Sequence, residues 1–267
     1  MNKQLGQNFL ISPHVRRSIL DELELDSSMQ VWEIGPGIGA MTHGALKSGA
    51  SMVLFELDYG FCSLLRDLYP EEGAYELVEG DVLKTWKRAA DRLPMPDRIF
   101  GNLPYNAGSV FIARLIEHQF LPQRMVYTLQ REVAQRLTAE TGNRKYSSFT
   151  LLCALDYQVT ICSHIAAEHF YPAPEVVSSI VRFDKKHTPG LTGEERRVYL
   201  ALVRELFASR RKTLRNNLKQ GSLKHSYDFQ QMLQVFSSLG IPESRRAETI
   251  TPDEMMKAAG GIVQTSG

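Results

Sequence analysis

Cysteine is scarce in the 267-residue chain, limited to Cys62, Cys153 and Cys162. An odd number without a C-x-x-C pair does not suggest a disulfide framework and fits a reducing compartment. The seven histidines are scattered without metal-ligand spacing. Even His164 and His169 read as surface or packing residues, so no metal is expected. No apolar run approaches the roughly 20 residues of a membrane helix, which excludes a membrane partner of that kind. Repeats and low-complexity tracts are lacking. Net charge is only +1, so the chain as a whole offers no footprint for a polyanion. Few residues precede Gln7-Asn8-Phe9-Leu10, leaving no room for a cleavable presequence. A cytoplasmic chain is expected, and a monomeric one, since nothing calls for an obligate partner.

The composition that remains, 43% hydrophobic, can bury a sizeable core, and the length suits one large domain plus a smaller one. Ser12-Pro13 caps a first helix with Val15, Ile19 and Leu23 at helical spacing. Val31-Trp32-Glu33-Ile34 reads as a buried strand, and Gly35-Pro36-Gly37-Ile38-Gly39 follows it at once. A glycine turn after a first strand lets backbone approach a ligand closely. Its G-x-G-x-G spacing departs from the G-x-G-x-x-G dinucleotide fingerprint and favours a methyl-donor nucleoside.

Three more strands end in polar residues. Met52-Val53-Leu54-Phe55 runs into Glu56, placed to accept from ribose hydroxyls, and Tyr75 to Glu79 runs into Gly80-Asp81, whose carboxylate can accept from an adenine amine. Each carboxylate alone is more often a solvated strand end. Arg98-Ile99-Phe100-Gly101 runs into Asn102-Leu103-Pro104-Tyr105. An amine on a planar base is a poor nucleophile until acceptors hold its hydrogens and let the nitrogen pyramidalise. Asn102 offers a neutral side-chain oxygen, the Leu103 carbonyl before proline a second acceptor, and Tyr105 a stacking ring worth about 1–3 kcal/mol. Asn and Pro are also ordinary turn residues. What favours a site is repetition, because glycines, Glu56, Asp81 and Asn102 close four successive strands at the edge where open α/β sheets bind ligands.

Those motifs, with Phe170-Tyr171-Pro172-Ala173-Pro174, stand in the order found in the ribosomal RNA adenine dimethyltransferases, which the chain resembles over nearly its whole length. Phe207 to Leu218 and Arg246-Ala247-Glu248 are similar to the small-subunit branch rather than the erythromycin-resistance methylases of large-subunit RNA, which stay the alternative. The resemblance implies a Rossmann-like class I methyltransferase fold, α/β with a mostly parallel seven-stranded sheet, plus a small all-α C-terminal domain. It implies S-adenosylmethionine as cofactor, touched by Asn8, Leu10, Gly35, Gly37, Glu56, Asp81 and Asn102. Asn102, Leu103, Tyr105 and Phe170 would form the catalytic set around the target adenine. The implied reaction dimethylates N6 of two adjacent adenines near the 3′ end of small-subunit ribosomal RNA. The implied partner is the small ribosomal subunit or its precursor, with a second role in subunit assembly. Departures occur at Glu175 and Val177, where a basic and an acidic residue are common, and at Ser147-Ser148-Phe149.

Phe149 to Val159 and Val176 to Phe183 are read as closing strands forming an antiparallel edge. Lys185 to Gly190 is the expected linker, dividing a methyltransferase domain, 1–184, from a helical RNA-binding domain, 185–267. Beyond it Val198, Leu202 and Leu206, then Phe229, Met232, Leu233 and Phe236, repeat at helical spacing. From Lys185 to His225 eleven Lys or Arg stand against three Glu, a local +8. A solvated charged face is the usual reading of such a run. Its one-sidedness, downstream of a base-handling domain, points to RNA, with Arg210, Arg211, Lys212 and Arg215 on a basic helix from Arg210 to Lys219 as phosphate contacts.

Overall fold

The computed structural model describes residues 8–70, 73, 75–103, 105–187, 190–191 and 193–265, without the side chains of Tyr105 and Asn106. Gln7, Pro104, Thr188 and Pro189 of the motifs above lie outside the described residues.

The chain separates into two compact units, residues 1–134 with 159–185, and residues 135–158 with 186–267. The first opens with β1 (Phe9–Leu10) and α1 (Pro13–Leu23), whose first turn is capped by the Ser12 hydroxyl accepting from the Val15 amide. Then β2 (Gln30–Ile34), α2 (Thr42–Leu46), β3 (Ser51–Glu56), α3 (Tyr59–Leu68), β4 (Tyr75–Glu79), α4 (Val82–Ala90), β5 (Arg98–Asn102), α5 (Tyr105–Glu117) and β6 (Arg124–Gln130) alternate, and α6 (Arg131–Leu137) follows. After α7 (Ser148–Asp156) come β7 (Tyr157–Ile165), β8 (Phe170–Tyr171) and β9 (Ser178–Lys185).

Seven strands form one sheet in the order β4-β3-β2-β5-β6-β9-β7. β4, β3, β2, β5 and β6 are mutually parallel, and β9 runs antiparallel to β6. The expected α/β class and mostly parallel seven-stranded sheet are therefore found. Near-continuous apolar runs explain the parallel strands, because helices cover both faces: in β3 five of six residues are buried. Val31, Leu54, Phe100 and Val126, from four neighbouring strands, share one core with Ile19 and Leu23 of α1. Strand order reverses between β2 and β5, and the carboxyl side of such a reversal is where an open sheet leaves a crevice.

The second unit holds α8 (Gly193–Phe207), α9 (Leu214–Gln220), α10 (Phe229–Ser238) and α11 (Pro252–Gln264). Val198, Leu202 and Leu206 of α8 meet Met232 and Phe236 of α10 and Met255 and Ile262 of α11 in its own core. Two expectations are corrected here. Phe149 to Val159 is not a strand but mostly α7, started by a capping box between Ser147 and Thr150, with Tyr157 beginning β7. Helix α7 is buried nearly all round, so its sequence lacks the one-sided periodicity of a surface helix. The basic helix is shorter than expected: Thr213 caps α9, and Arg210, Arg211 and Lys212 sit in the turn before it.

Residues 135–158, which the 184/185 division places with the methyltransferase domain, pack with the helical unit. A buried fork explains why. Arg196 of α8 donates to both carboxylate oxygens of Asp156 at the end of α7, across 2.9 and 2.6 Å. Both side chains are under one-tenth exposed. The Tyr199 hydroxyl adds a bond to the Leu151 carbonyl at 2.7 Å.

Candidate functional site

At the carboxyl edge of the first unit's sheet a cavity of about 150 Å³ opens between the ends of β2, β3, β4 and β5 and is closed in part by β1. The glycine turn forms one wall. Gly35, Gly37 and Gly39 all take positive φ, 67°, 56° and 74°, a backbone that L side chains adopt only with strain. A methyl on Gly35 would project into open space, whereas one on Gly37 would come within 3.2 Å of the Phe9 ring. The Gly35 position is thus a cradle free of atoms of the described residues, and Phe9 is seated against the turn.

Glu56 ends β3 with 3% exposure. One carboxylate oxygen accepts from the Gly37 amide at 2.9 Å and the other from the Asp58 amide at 2.8 Å. Burial pushes its carboxyl above the usual range, against the pull of these amides. Each oxygen keeps a lone pair, which suits a pair of vicinal hydroxyls. Asp81 follows β4 and caps α4, accepting from the Leu83 amide at 2.9 Å through Oδ1, so Oδ2 is left for a ligand. Behind the turn lies Glu33, fully buried, with one oxygen accepting from the Thr42 hydroxyl at 2.7 Å and the other without a partner among the described residues. Burial pushes its carboxyl up to about 8.

Asn102 ends β5 and donates its side-chain amide to the Asn8 carbonyl at 2.7 Å. That bond fixes which end of the amide is which, leaving the carbonyl oxygen as the available acceptor. Leu103 lines the cavity and is 3% exposed. Asn8 and Leu10 lie at and within β1, whose partner is β8. Asn8, Leu10, Gly35, Gly37, Glu56, Asp81, Asn102 and Leu103 all border the same cavity.

Phe170 stands elsewhere. It is 3% exposed, packs in the core with Leu10 and Ile180, and is not among the cavity's lining residues. The exposed ring of its turn is Tyr171, at 59%. The side chain of Tyr105 lies outside the described residues. Phe9, Met41, Ala107 and Phe111 line the cavity but were not read from the sequence, since apolar residues at helix and strand positions look like core.

In the second unit sixteen Lys or Arg stand against ten Asp or Glu, net +6, while the first has fifteen against twenty, net −5. The basic residues are not equally free. Arg215 pairs with Glu243 at 2.7 Å, and Lys212 bonds Gln220 at 2.5 Å. Arg210 and Arg211 are exposed, and no ion pair among the described residues engages them. Thr213 bridges to Arg246, which brings a further exposed cation beside them.

A sequence model of the family described as "Ribosomal RNA adenine dimethylase" matches residues 1–260. "Ribosomal RNA small subunit methyltransferase A" of Treponema denticola is 38% identical over 252 residues, 94% of this chain and 85% of the relative. The protein of the same name from Magnetococcus marinus is 34% identical over 266 residues, covering 99% and 93%. A crystal structure of a dimethyladenosine transferase from Plasmodium falciparum superposes with a TM-score of 0.80 at 27% identity, covering 94% of this chain and 95% of that one. The 23S rRNA methyltransferase ErmE, at 21% identity and a TM-score of 0.73 over 96% and 100%, shares the fold.

Proposed function

The chain belongs to the ribosomal RNA adenine dimethylase family and is a methyltransferase, and we propose that it dimethylates N6 of two adjacent adenines near the 3′ end of small-subunit ribosomal RNA. The observation that carries this reading is the orientation of Asn102. With its amide spent on the Asn8 carbonyl, the side chain offers the cavity an acceptor, as an exocyclic amine requires.

S-adenosylmethionine, when bound, supplies an electrophilic methyl group. The residues fit such a group: the free space beside Gly35 admits it closely, Glu56 accepts from its ribose hydroxyls, and Asp81 accepts from its adenine amine through Oδ2. Asn102 and the Leu103 carbonyl hold the hydrogens of the target amine and direct its lone pair toward the methyl. Such a grip works by positioning and by dipoles set before positive charge develops on nitrogen. A second round requires the site to admit one methyl beside Asn102.

The net +6 of the helical unit supports it as the holder of ribosomal RNA, with Arg210 and Arg211 on phosphates. On this reading the unit binds the small subunit or its precursor, which also gives the protein a part in subunit assembly, in the cytoplasm. The test is incubation with labelled S-adenosylmethionine and either small-subunit particles or protein-free large-subunit RNA. Label in the small-subunit RNA is expected. Label only in the large-subunit RNA would place the chain with the erythromycin-resistance type instead.

A further inference from the structure

Beside the proposed amine grip lies an exposed apolar strip that the grip does not use. Tyr171, Val176 and Val177 are 59%, 43% and 38% exposed. Their segment, Phe170 to Val177, carries a single charge, Glu175.

Both ends of the segment are tied to the site. At one end Tyr171 pairs with Phe9 in the antiparallel ribbon of β1 and β8, while Phe170 pairs with Leu10. Side chains of directly paired residues share a face. Leu10 and Phe170 are 2% and 3% exposed and fill the core, so Tyr171 stands with Phe9 on the ribbon's other face, and both Phe9 and Leu10 border the cavity. The next residue along β1 is Asn8, whose carbonyl holds Asn102. At the other end the Val177 carbonyl accepts from the Arg131 amide at 2.9 Å, just past β6, and Asn102 pairs with Thr128 of that strand. Neighbouring strands lie about 4.8 Å apart, so the strip runs within a few strand widths of Asn102.

We infer that Tyr171 is a stacking platform for the base next to the methylated adenine, with Val176 and Val177 extending the apolar surface under it. The occupant is a nucleobase, because the strip itself presents an aromatic face and aliphatic groups, and the exposed cation bonded to it, Arg131, stands at the Val177 end, away from Tyr171 in sequence. A base splayed from a loop stacks on such a ring without regard to its hydrogen-bonding edge, so the platform fixes the strand's path and leaves recognition of the amine to Asn102. The inference rests on the function proposed above.

The test compares steady-state methyl transfer to small-subunit particles by the wild type, Tyr171→Ala, Tyr171→Phe and Tyr171→Trp. Stacking of one base predicts that Tyr171→Ala raises KM for particles about 5- to 150-fold, with Phe and Trp restoring it. The KM for S-adenosylmethionine and the melting temperature should stay at wild-type values, as befits an exposed ring. A second arm uses particles whose RNA has uracil in place of a purine beside the modified adenine. The wild type should lose affinity for these, and Tyr171→Ala should lose no more. An unchanged particle KM in Tyr171→Ala, or equal losses from the uracil change in both proteins, would overturn the inference. Failure of the wild type itself to methylate small-subunit particles would instead overturn the proposed function.

Discussion

The side-chain amide of Asn102 donates to the backbone carbonyl of Asn8 across 2.7 Å, joining residues 94 positions apart. The bond gives a residue with two interchangeable-looking ends a single working orientation.

Removing the acceptor by Asn102→Ala should lower kcat about 10²- to 10³-fold, the usual cost of losing one positioned dipole at a reacting centre. Asn102→Asp should fare no better, because a carboxylate cannot donate to Asn8 and its charge faces a carbonyl. Single-turnover methyl transfer measures the loss. Sedimentation with small-subunit particles should show both variants still bound, since the proposed phosphate contacts lie in the helical unit. Binding lost in proportion to activity would mean that the two roles are one.

Glu33 predicts a pH dependence of stability. Its folded carboxyl, raised to about 8 by burial, keeps a proton that the unfolded chain, at the ordinary value of 4.5, has released. The stabilisation is full below the unfolded value and is lost as pH rises through the folded one. Denaturant midpoints taken between about pH 5 and 8 should therefore fall for the wild type and be flatter for Glu33→Gln. Parallel curves would show that Glu33 does not hold the proton.

The fork between Asp156 and Arg196 should dominate charge effects on stability in the helical unit. Either Asp156→Ala or Arg196→Ala leaves a buried ion unpaired and should cost about 3–5 kcal/mol in chemical denaturation. Arg197→Ala breaks only the exposed pair with Glu194 and should cost at most about 1 kcal/mol. Similar losses in the two experiments would contradict the burial argument.

Arg210 and Arg211 should set the salt dependence of RNA binding. Their double replacement by Ala should reduce the slope of log K against log salt by about 0.7–0.9 per lost phosphate contact. Arg215→Ala should change it less, since that guanidinium is already engaged by Glu243. An unchanged slope in the double variant would assign both arginines to a solvated face.

Much of the site was legible because each part is local. The glycine turn, Glu56 and Asn102 each close a strand whose apolar run announces it, and Asp81 follows the half-buried edge strand β4. Long-range features were not legible: that Asn8 acts on Asn102 through its backbone carbonyl, or that Tyr171 rather than Phe170 is the exposed ring, depends on the pairing of β1 with β8. The misreading of Phe149 to Val159 has a different cause. A helix buried on every side has no polar stripe, and only the Ser147 and Thr150 capping box marked its start. The same box shows that Ser147 serves the fold, as the cap of α7.

Mass-spectrometric mapping of ribosomal RNA after incubation of small-subunit particles with the protein and S-adenosylmethionine tests the central claim most directly. The expected product is N6,N6-dimethyladenosine at two adjacent adenines near the 3′ end of the small-subunit RNA, formed about 10²- to 10³-fold more slowly by Asn102→Ala. Methyl groups on another atom or base, or the same product from Asn102→Ala at the wild-type rate, would contradict it.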